Sequence, residues 1–229
     1  MERITATNSR GYATPIGIAV DAVVFTLQDG ELAVLLARRT EPPYKGRWSL
    51  PGGFQGEKET PEKTVVRKLT EKTGMEPVYF EQLRFYGDPQ RDRRGWLPSI
   101  AYLTLVPSEL LPEQTDTDAA WHPLSRMPDL PFDHGQMVAD GLERLRGKLW
   151  YSNVAMGLLP ERFTARQARR VYEAILGTKL APTNFVRDLL RTGLVHATGE
   201  FEPDGPGRPS EVLRFTSRDF AWSASSRRA

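Results

Sequence analysis

Between Gly52 and Gly74 the chain carries side chains suited to two opposed kinds of chemistry. The carboxylates of Glu57, Glu59 and Glu71 are the oxygen ligands that a hard cation such as Mg²⁺ takes, one or two at a time beside a substrate phosphate. Lys68 and Lys72 stand four residues apart, so on a helix they share a face and repel each other, and they would repel such a cation as well. As point charges they suit a diphosphate instead. Arg67 lies four residues before Glu71, and an ion pair between them is expected. Gly52 and Gly53 let the backbone turn sharply or approach a ligand closely.

The elements that must hold these groups are legible from caps and turns. Thr60 suits an N-cap, Pro61 the first helical position and Gly74 the stop, which predicts a helix over 60–73. Ile16 to Thr26 is rich in Val, Ile and Ala and reads as a buried strand. Asp29-Gly30 turns it back into a second strand over Glu31 to Arg38. Further strands are expected over Tyr79 to Tyr86 and Ser99 to Val106, around the charged loop 88–95, with a short one at Trp121 to Leu124. Pro131-Phe132-Asp133 opens a helix to about Arg146, with Asp133 and Gln136 spaced as a capping box. His122 and His134 have no metal-pair spacing and read as structural.

From Trp150 onward the rhythm changes. Thr164 and Gln167 form a capping box for a helix to Leu176, and 177–181 is a turn. A second helix opens at Pro182 or Thr183 and stops at Gly193. Strands over 194–198 and 212–216 flank a Gly/Pro-rich loop, 199–209. Helix, turn, helix and a hairpin with a basic loop is the order of a winged helix-turn-helix. Thr183, Asn184, Arg187 and Arg191 fall on the exposed face of its second helix, and Phe185, Leu189 and Leu190 on the buried one. Such a helix presents its first residues to base edges in the major groove, where Asn suits adenine and Arg guanine. Arg208 would reach DNA from the wing, and Lys179 and Arg214 could add phosphate contacts. Arg166, Arg169 and Arg170 could do the same or form a solvated helix face. A winged helix used for protein contact alone is the alternative.

Composition narrows the classes. The chain of 229 residues has no cysteine, which excludes disulfides and thiolate metal sites. No apolar run approaches the ~20 residues of a membrane-spanning helix, and the polar start at Met1 to Arg10 lacks a signal-peptide core. A cytoplasmic location without membrane contact is therefore expected. Net charge is only +2, yet residues 150–229 hold twelve basic against eight acidic side chains, leaving −2 for the remainder. A basic C-terminal part points to a polyanion partner.

The stretch from Gly53 to Met75 resembles the Nudix box, G-x5-E-x7-R-E-U-x-E-E-x-G-U. It matches at Gly53, Glu59, Arg67, Leu69, Glu71, Gly74 and Met75, and departs at Lys68 and Lys72, where active members mostly hold Mg²⁺ with glutamate. With the C-terminal module the chain resembles the NrtR-type regulators from Tyr12 to Phe215. The specific pieces are the altered box, Ser99-Ile100-Ala101-Tyr102-Leu103, Phe132-Asp133-His134, Asn184 to Leu190, and Gly207-Arg208-Pro209. The resemblance implies an α+β chain: a Nudix-like α/β/α sandwich with a mixed sheet over 1–149, then a winged helix-turn-helix over 150–229. It implies a homodimeric repressor of NAD synthesis or salvage genes that binds double-stranded, palindromic operator DNA. It also implies an effector, ADP-ribose or a related nucleotide, with no catalytic residues, metal or cofactor. The effector residues expected are Arg38, Arg39, Arg47, Trp48, Gly52, Gly53, Lys68, Glu71 and Lys72, with Arg for phosphate and Trp for adenine. The DNA residues expected are Lys179, Thr183, Asn184, Arg187, Arg191, Arg208 and Arg214. A working Nudix pyrophosphatase with an appended DNA module, and a sugar-sensing regulator of the same architecture, stay open as alternatives.

Overall fold

A computed structural model describes residues 5–7, 13–15, 17–56, 58–74, 79–108, 118–205, 207–217 and 219. Glu57 and Met75 lie outside them, as does the tail after 219. The described chain divides into two compact units, the first including Ala33–Val106 and the second running from Leu142.

In the first unit, β1 (Thr5–Thr7) and β2 (Ala13–Pro15) form a two-stranded ribbon. The main sheet begins with β3 (Ala19–Gln28) and β4 (Glu31–Arg38). Asp29 and Gly30 between them have φ of 51° and 80°, the left-handed pair that a two-residue hairpin requires. To these are added β5 (Trp48–Ser49), β6 (Gly52–Phe54), β7 (Tyr79–Tyr86), β8 (Ser99–Leu105) and β9 (Ala119–Pro123). Among the described residues the order is β5-β4-β3-β8-β7, with β6 on β3 and β9 on β4. β3 and β8 run parallel, while β6, β5, β9 and β7 pair antiparallel with their neighbours, so the sheet is mixed.

Strand alternation decides what each face of β3 meets. Val20, Ala22 and Val24 pack in one cluster with Val65 and Leu69 of α1 (Pro61–Thr73). Val65 and Leu69 are 2% and 1% exposed, and burying each contributes ~1.5–3 kcal/mol. Thr60 caps α1 through the Lys63 amide, and Gly74 closes it at φ 69°. Val23 and Phe25 face the other way, toward α2 (His134–Lys148), where a Cβ on Gly141 would lie 3.0 Å from Val23 Cγ1. The sheet therefore lies between two helices. The expected capping box at Asp133 is not formed. Arg91 takes the Asp133 carboxylate instead, and the Gln136 amide donates to Asp140.

The second unit holds β10 (Arg162–Thr164), α3 (Ala165–Leu176), α4 (Pro182–Arg191), β11 (Val195–Glu202) and β12 (Ser210–Phe215), with its sheet ordered β10-β12-β11. The Thr164–Gln167 capping box is formed, and Gly177 ends α3 in the left-handed region at φ 70°. Phe163, Phe185, Leu189 and Leu213 are buried. Tyr172 stacks edge-on with Phe185 at 5.1 Å and donates its hydroxyl to the Leu149 carbonyl. β10 was not expected, and β11 runs past the expected Thr198, with a bulge between Ala197 and Phe201. No described helix is long and apolar enough to cross a membrane.

Candidate ligand cleft and nucleic-acid interface

Within the altered box the charges answer one another. Arg67 donates Nε to Glu59 Oε1 and Nη2 to Glu59 Oε2, both at 2.6 Å, and Nη1 to Glu71 Oε1 at 2.9 Å. Glu59 is thus the principal partner of Arg67, with the expected Glu71 second. Glu59 also accepts from the Thr64 hydroxyl and the Gly56 amide. Its carboxyl is held down to about 2, chiefly by Arg67. Lys68 Nζ lies 2.8 Å from Glu71 Oε2, and Lys68, ahead of Arg67, keeps the Glu71 carboxyl below its ordinary range. The stem of Lys68 crosses Gly53, whose Cβ, if it had one, would lie 2.8 Å from Lys68 Cε.

This set does not fit the Mg²⁺ that the box implies. Glu59 is filled by four donors and Glu71 is tied to Arg67 and Lys68, and an ammonium stands where a further carboxylate is needed. Among the described residues no group of three or more metal-binding side chains converges. The side chain of Lys72 lies outside the described residues.

Beside the box lies a cleft of about 540 Å³, lined in part by Asp21, Arg38, Arg39, Gly52, Gly53, Phe54, Glu71, Arg91, Arg94, Phe132 and His134. Of the expected effector residues, this brings together Arg38, Arg39, Gly52, Gly53 and Glu71. Arg38 is exposed at its rim, and its guanidinium rests 4.4 Å over the Trp48 ring. Arg39 is half-buried, donates Nε to the Pro43 carbonyl and lies 4.9 Å over Phe132. Desolvation lowers its pKa, with Arg94 adding to the effect.

Arg47, Trp48 and Lys68 are not among the described lining residues. Arg47 turns away to the Asp129 carbonyl, and Trp48 serves as the platform under Arg38 and packs edge-on against His122. Lys68 is held by Glu71. The sequence reading missed Asp21 and His134 at the cleft's buried end, where Arg91 of the charged loop 88–95 also lines it. Arg91 makes a two-pronged pair with Asp133 at 2.9 and 2.7 Å and donates to the Leu97 carbonyl. Burial opposes its charge, but Asp133 and Asp21 keep its pKa raised. One signal was available: Asp21 is the single acid in the apolar run from Ile16 to Thr26.

In the second unit Thr183, Asn184, Arg187 and Arg191 are exposed along α4 while Phe185 and Leu189 are buried. Arg187 and Arg191 share Asp188 at 3.0 and 3.9 Å. Arg208 is exposed, with no ion pair among the described residues. It lines a groove of about 510 Å³ with Arg166, Arg169, Thr183, Val186 and Glu211, so the start of α4 and the wing meet there. The wing loop is pinned at Asp204, whose carboxylate accepts from Thr164 and whose carbonyl accepts from Arg166, with Arg170 at 3.8 Å. Arg166 is therefore a wing anchor.

Glu173 holds the turn between α3 and α4, accepting from Arg169 at 2.6 Å, the Leu180 amide at 3.0 Å and Lys179 at 3.2 Å. Burial raises the Glu173 carboxyl, but these donors leave it lowered overall. Lys179 is 92% exposed despite that tie. Arg214 stands apart from the groove. It pairs in register with Arg162 and His196, lies 3.9 Å from Glu161, and its buried Nε has no hydrogen-bond partner among the described residues.

Residues 15–141 match the NUDIX domain family, and residues 155–215 match the NrtR DNA-binding winged helix domain. The chain is similar to the ADPR responsive transcriptional repressor NtrR of Acinetobacter baylyi, 32% identical over 91% of this chain and 85% of that one. It is also similar to the crystal structure of Shewanella oneidensis NrtR complexed with a 27mer DNA. That likeness has a TM-score of 0.79 and 38% identity, over 88% of this chain and 94% of the other. The NUDIX domain of the same Shewanella protein, complexed with ADP ribose, matches with a TM-score of 0.53 and 41% identity. It covers 60% of this chain and 93% of the other.

Proposed function

The chain belongs to the NUDIX domain family and carries an NrtR winged helix, and from that premise we propose that it is a DNA-binding transcriptional repressor responsive to ADP-ribose. In this reading residues 1–149 hold the effector and 150–229 the operator. The observation that carries the sensor role is the box itself, where Arg67 holds Glu59 and shares Glu71 with Lys68. A pyrophosphatase needs those carboxylates for metal; a sensor needs only affinity. ADP-ribose enters the cleft, with Arg38 and Arg39 facing its diphosphate, and leaves uncleaved.

At the other end, Asn184 and Arg187 read base edges from α4, while Arg191, Lys179 and Arg208 hold phosphates. Arg214, close to Glu161, makes the smallest contribution of the DNA set. The chain acts as a homodimer on a palindromic operator, since two-fold protein symmetry is mirrored in half-sites. Genes of NAD synthesis or salvage are its targets, and the cytoplasm, where operator DNA lies, is its place of work. Effector and DNA are linked: ADP-ribose favours an arrangement of the two α4 helices that fits the half-sites poorly, and DNA must weaken ADP-ribose by the same factor.

Calorimetry of ADP-ribose with the full chain, in Mg²⁺ and in EDTA with AMP monitored, tests the sensor role. Equal binding in both buffers with no AMP is expected. Mg²⁺-dependent AMP release at an enzymatic rate would make the chain a hydrolase.

A further inference from the structure

The two ends of the cleft differ in chemistry. Its rim carries the exposed Arg38, whereas its inner end is made by Asp21, 6% exposed, and His134, 3% exposed. Among the described residues the Asp21 carboxylate has one hydrogen-bond partner, Ser99, whose hydroxyl donates to Oδ2 at 2.6 Å. The basic side-chain nitrogens near that oxygen, His134 Nε2 at 3.7 Å and Arg91 Nη2 at 3.9 Å, stand beyond hydrogen-bonding range. Oδ1 projects over Gly52, where a Cβ would lie only 2.1 Å from it.

His134 supplies the complement. Its Nδ1 accepts the Leu50 amide at 3.0 Å, so the proton of the neutral ring sits on Nε2. Burial lowers the pKa of this imidazole and keeps the ring neutral at ordinary pH. Nε2–H has no hydrogen-bond partner among the described residues, and Arg91 is taken up by Asp133 and Leu97. A buried carboxylate oxygen without a hydrogen-bond donor costs free energy even with Arg91 nearby, and a ligand hydroxyl would offset that cost.

We propose that Asp21 Oδ1 and His134 Nε2 form a hydroxyl-reading floor that takes the vicinal diol of a ribose, the carboxylate accepting and the imidazole donating. The charge of Asp21 keeps phosphate off this floor and directs it to Arg38 and Arg39 at the rim. Gly52 leaves the space beside the carboxylate open, since a Cβ there would run into Asp21 Oδ1 and the Val20 carbonyl. The proposal rests on the ADP-ribose reading and adds its orientation, sugar inward and diphosphate outward. A site built around hydrogen bonds to a hydroxyl rejects analogues that lack it.

The test compares wild type with Asp21→Asn by calorimetry in EDTA, using ADP-ribose and inorganic pyrophosphate. Asp21→Asn is expected to weaken ADP-ribose about 10- to 100-fold and leave pyrophosphate unchanged or tighter. Unchanged ADP-ribose affinity, or equal losses for both ligands, overturns the proposal. Should Asp21→Asn not fold, Ser99→Ala removes the hydroxyl that aims the carboxylate. The same selective loss is then expected at about threefold, and its absence overturns the floor. If the wild type ignores ADP-ribose, the nucleotide reading has failed and the floor is judged on D-ribose. A Tm rise in the wild type that Asp21→Asn abolishes retains it, and no rise overturns it.

Discussion

Around the cleft, cations and carboxylates of the chain satisfy each other: Arg67 with Glu59 and Glu71, Lys68 with Glu71, Arg91 with Asp133, Arg94 with Asp92. Along α4 and the wing the basic groups are exposed, with Arg187 and Arg191 sharing a single Asp188 and Arg208 unpaired among the described residues. The first arrangement suits a small ligand, which is recognised by the few groups left over inside a rigid frame. The second suits a polyanion, because exposed cations gain from releasing DNA counterions. Similar residue types thus carry different work according to whether the fold has already partnered them.

The strongest way to break this contrast is Arg187→Ala with Arg208→Ala. Losing one base contact and one phosphate contact predicts a fall of about 100-fold or more in DNA affinity and a salt slope shallower by about 1, with ADP-ribose affinity unchanged. Fluorescence anisotropy against a DNA fragment selected from a random library, across a salt series, measures both. A parallel loss of ADP-ribose binding would erase the distinction between the two regions.

Next comes Gly52→Ala, which sharpens the account of the cleft. The new Cβ would meet Val20 O at 2.6 Å as well as Asp21 Oδ1, and the backbone cannot swing aside as a side chain can. Overpacking of this kind costs about 1–3 kcal/mol, so Tm should drop by several degrees and ADP-ribose binding should be lost while DNA binding persists. Wild-type ligand affinity in this variant would contradict the close approach.

The smallest effect is the acid limb of stability. Arg67 depresses the Glu59 carboxyl from 4.5 to about 2, so its stabilisation is complete above pH 4.5 and is lost as pH falls toward 2. Glu59→Gln should lower Tm by a few degrees at pH 7 and make the decline between pH 4.5 and 2 shallower. Thermal unfolding over a pH series reads this directly; a steeper acid limb in the variant would refute the assignment.

Local chemistry was the legible part of the sequence. Thr60, Pro61 and Gly74 bounded α1, Asp29-Gly30 made the hairpin, and Thr164 with Gln167 capped α3, because each depends on residues within a few positions. The buried end of the cleft joins Asp21 to Ser99 across 78 positions and Arg91 to Asp133 across 42, and no local pattern specifies such pairings. Gly52 and Gly53 were open between a turn and a close approach. Neither has a positive φ, so close approach, to Asp21 and to Lys68, is the reason for both. Trp48 suited adenine by type, yet the fold uses it under Arg38. β10 escaped because three residues beside a helix cap carry no periodicity.

The central claim is a linkage between an uncleaved nucleotide and DNA. It is tested most directly by titrating ADP-ribose, in EDTA, into the full chain bound to a labelled fragment of its selected DNA. Loss of anisotropy with saturation, reversed on dialysis and accompanied by no AMP, is the predicted result. DNA that stays bound at saturating ADP-ribose, or release only in Mg²⁺ with AMP formed, would contradict it.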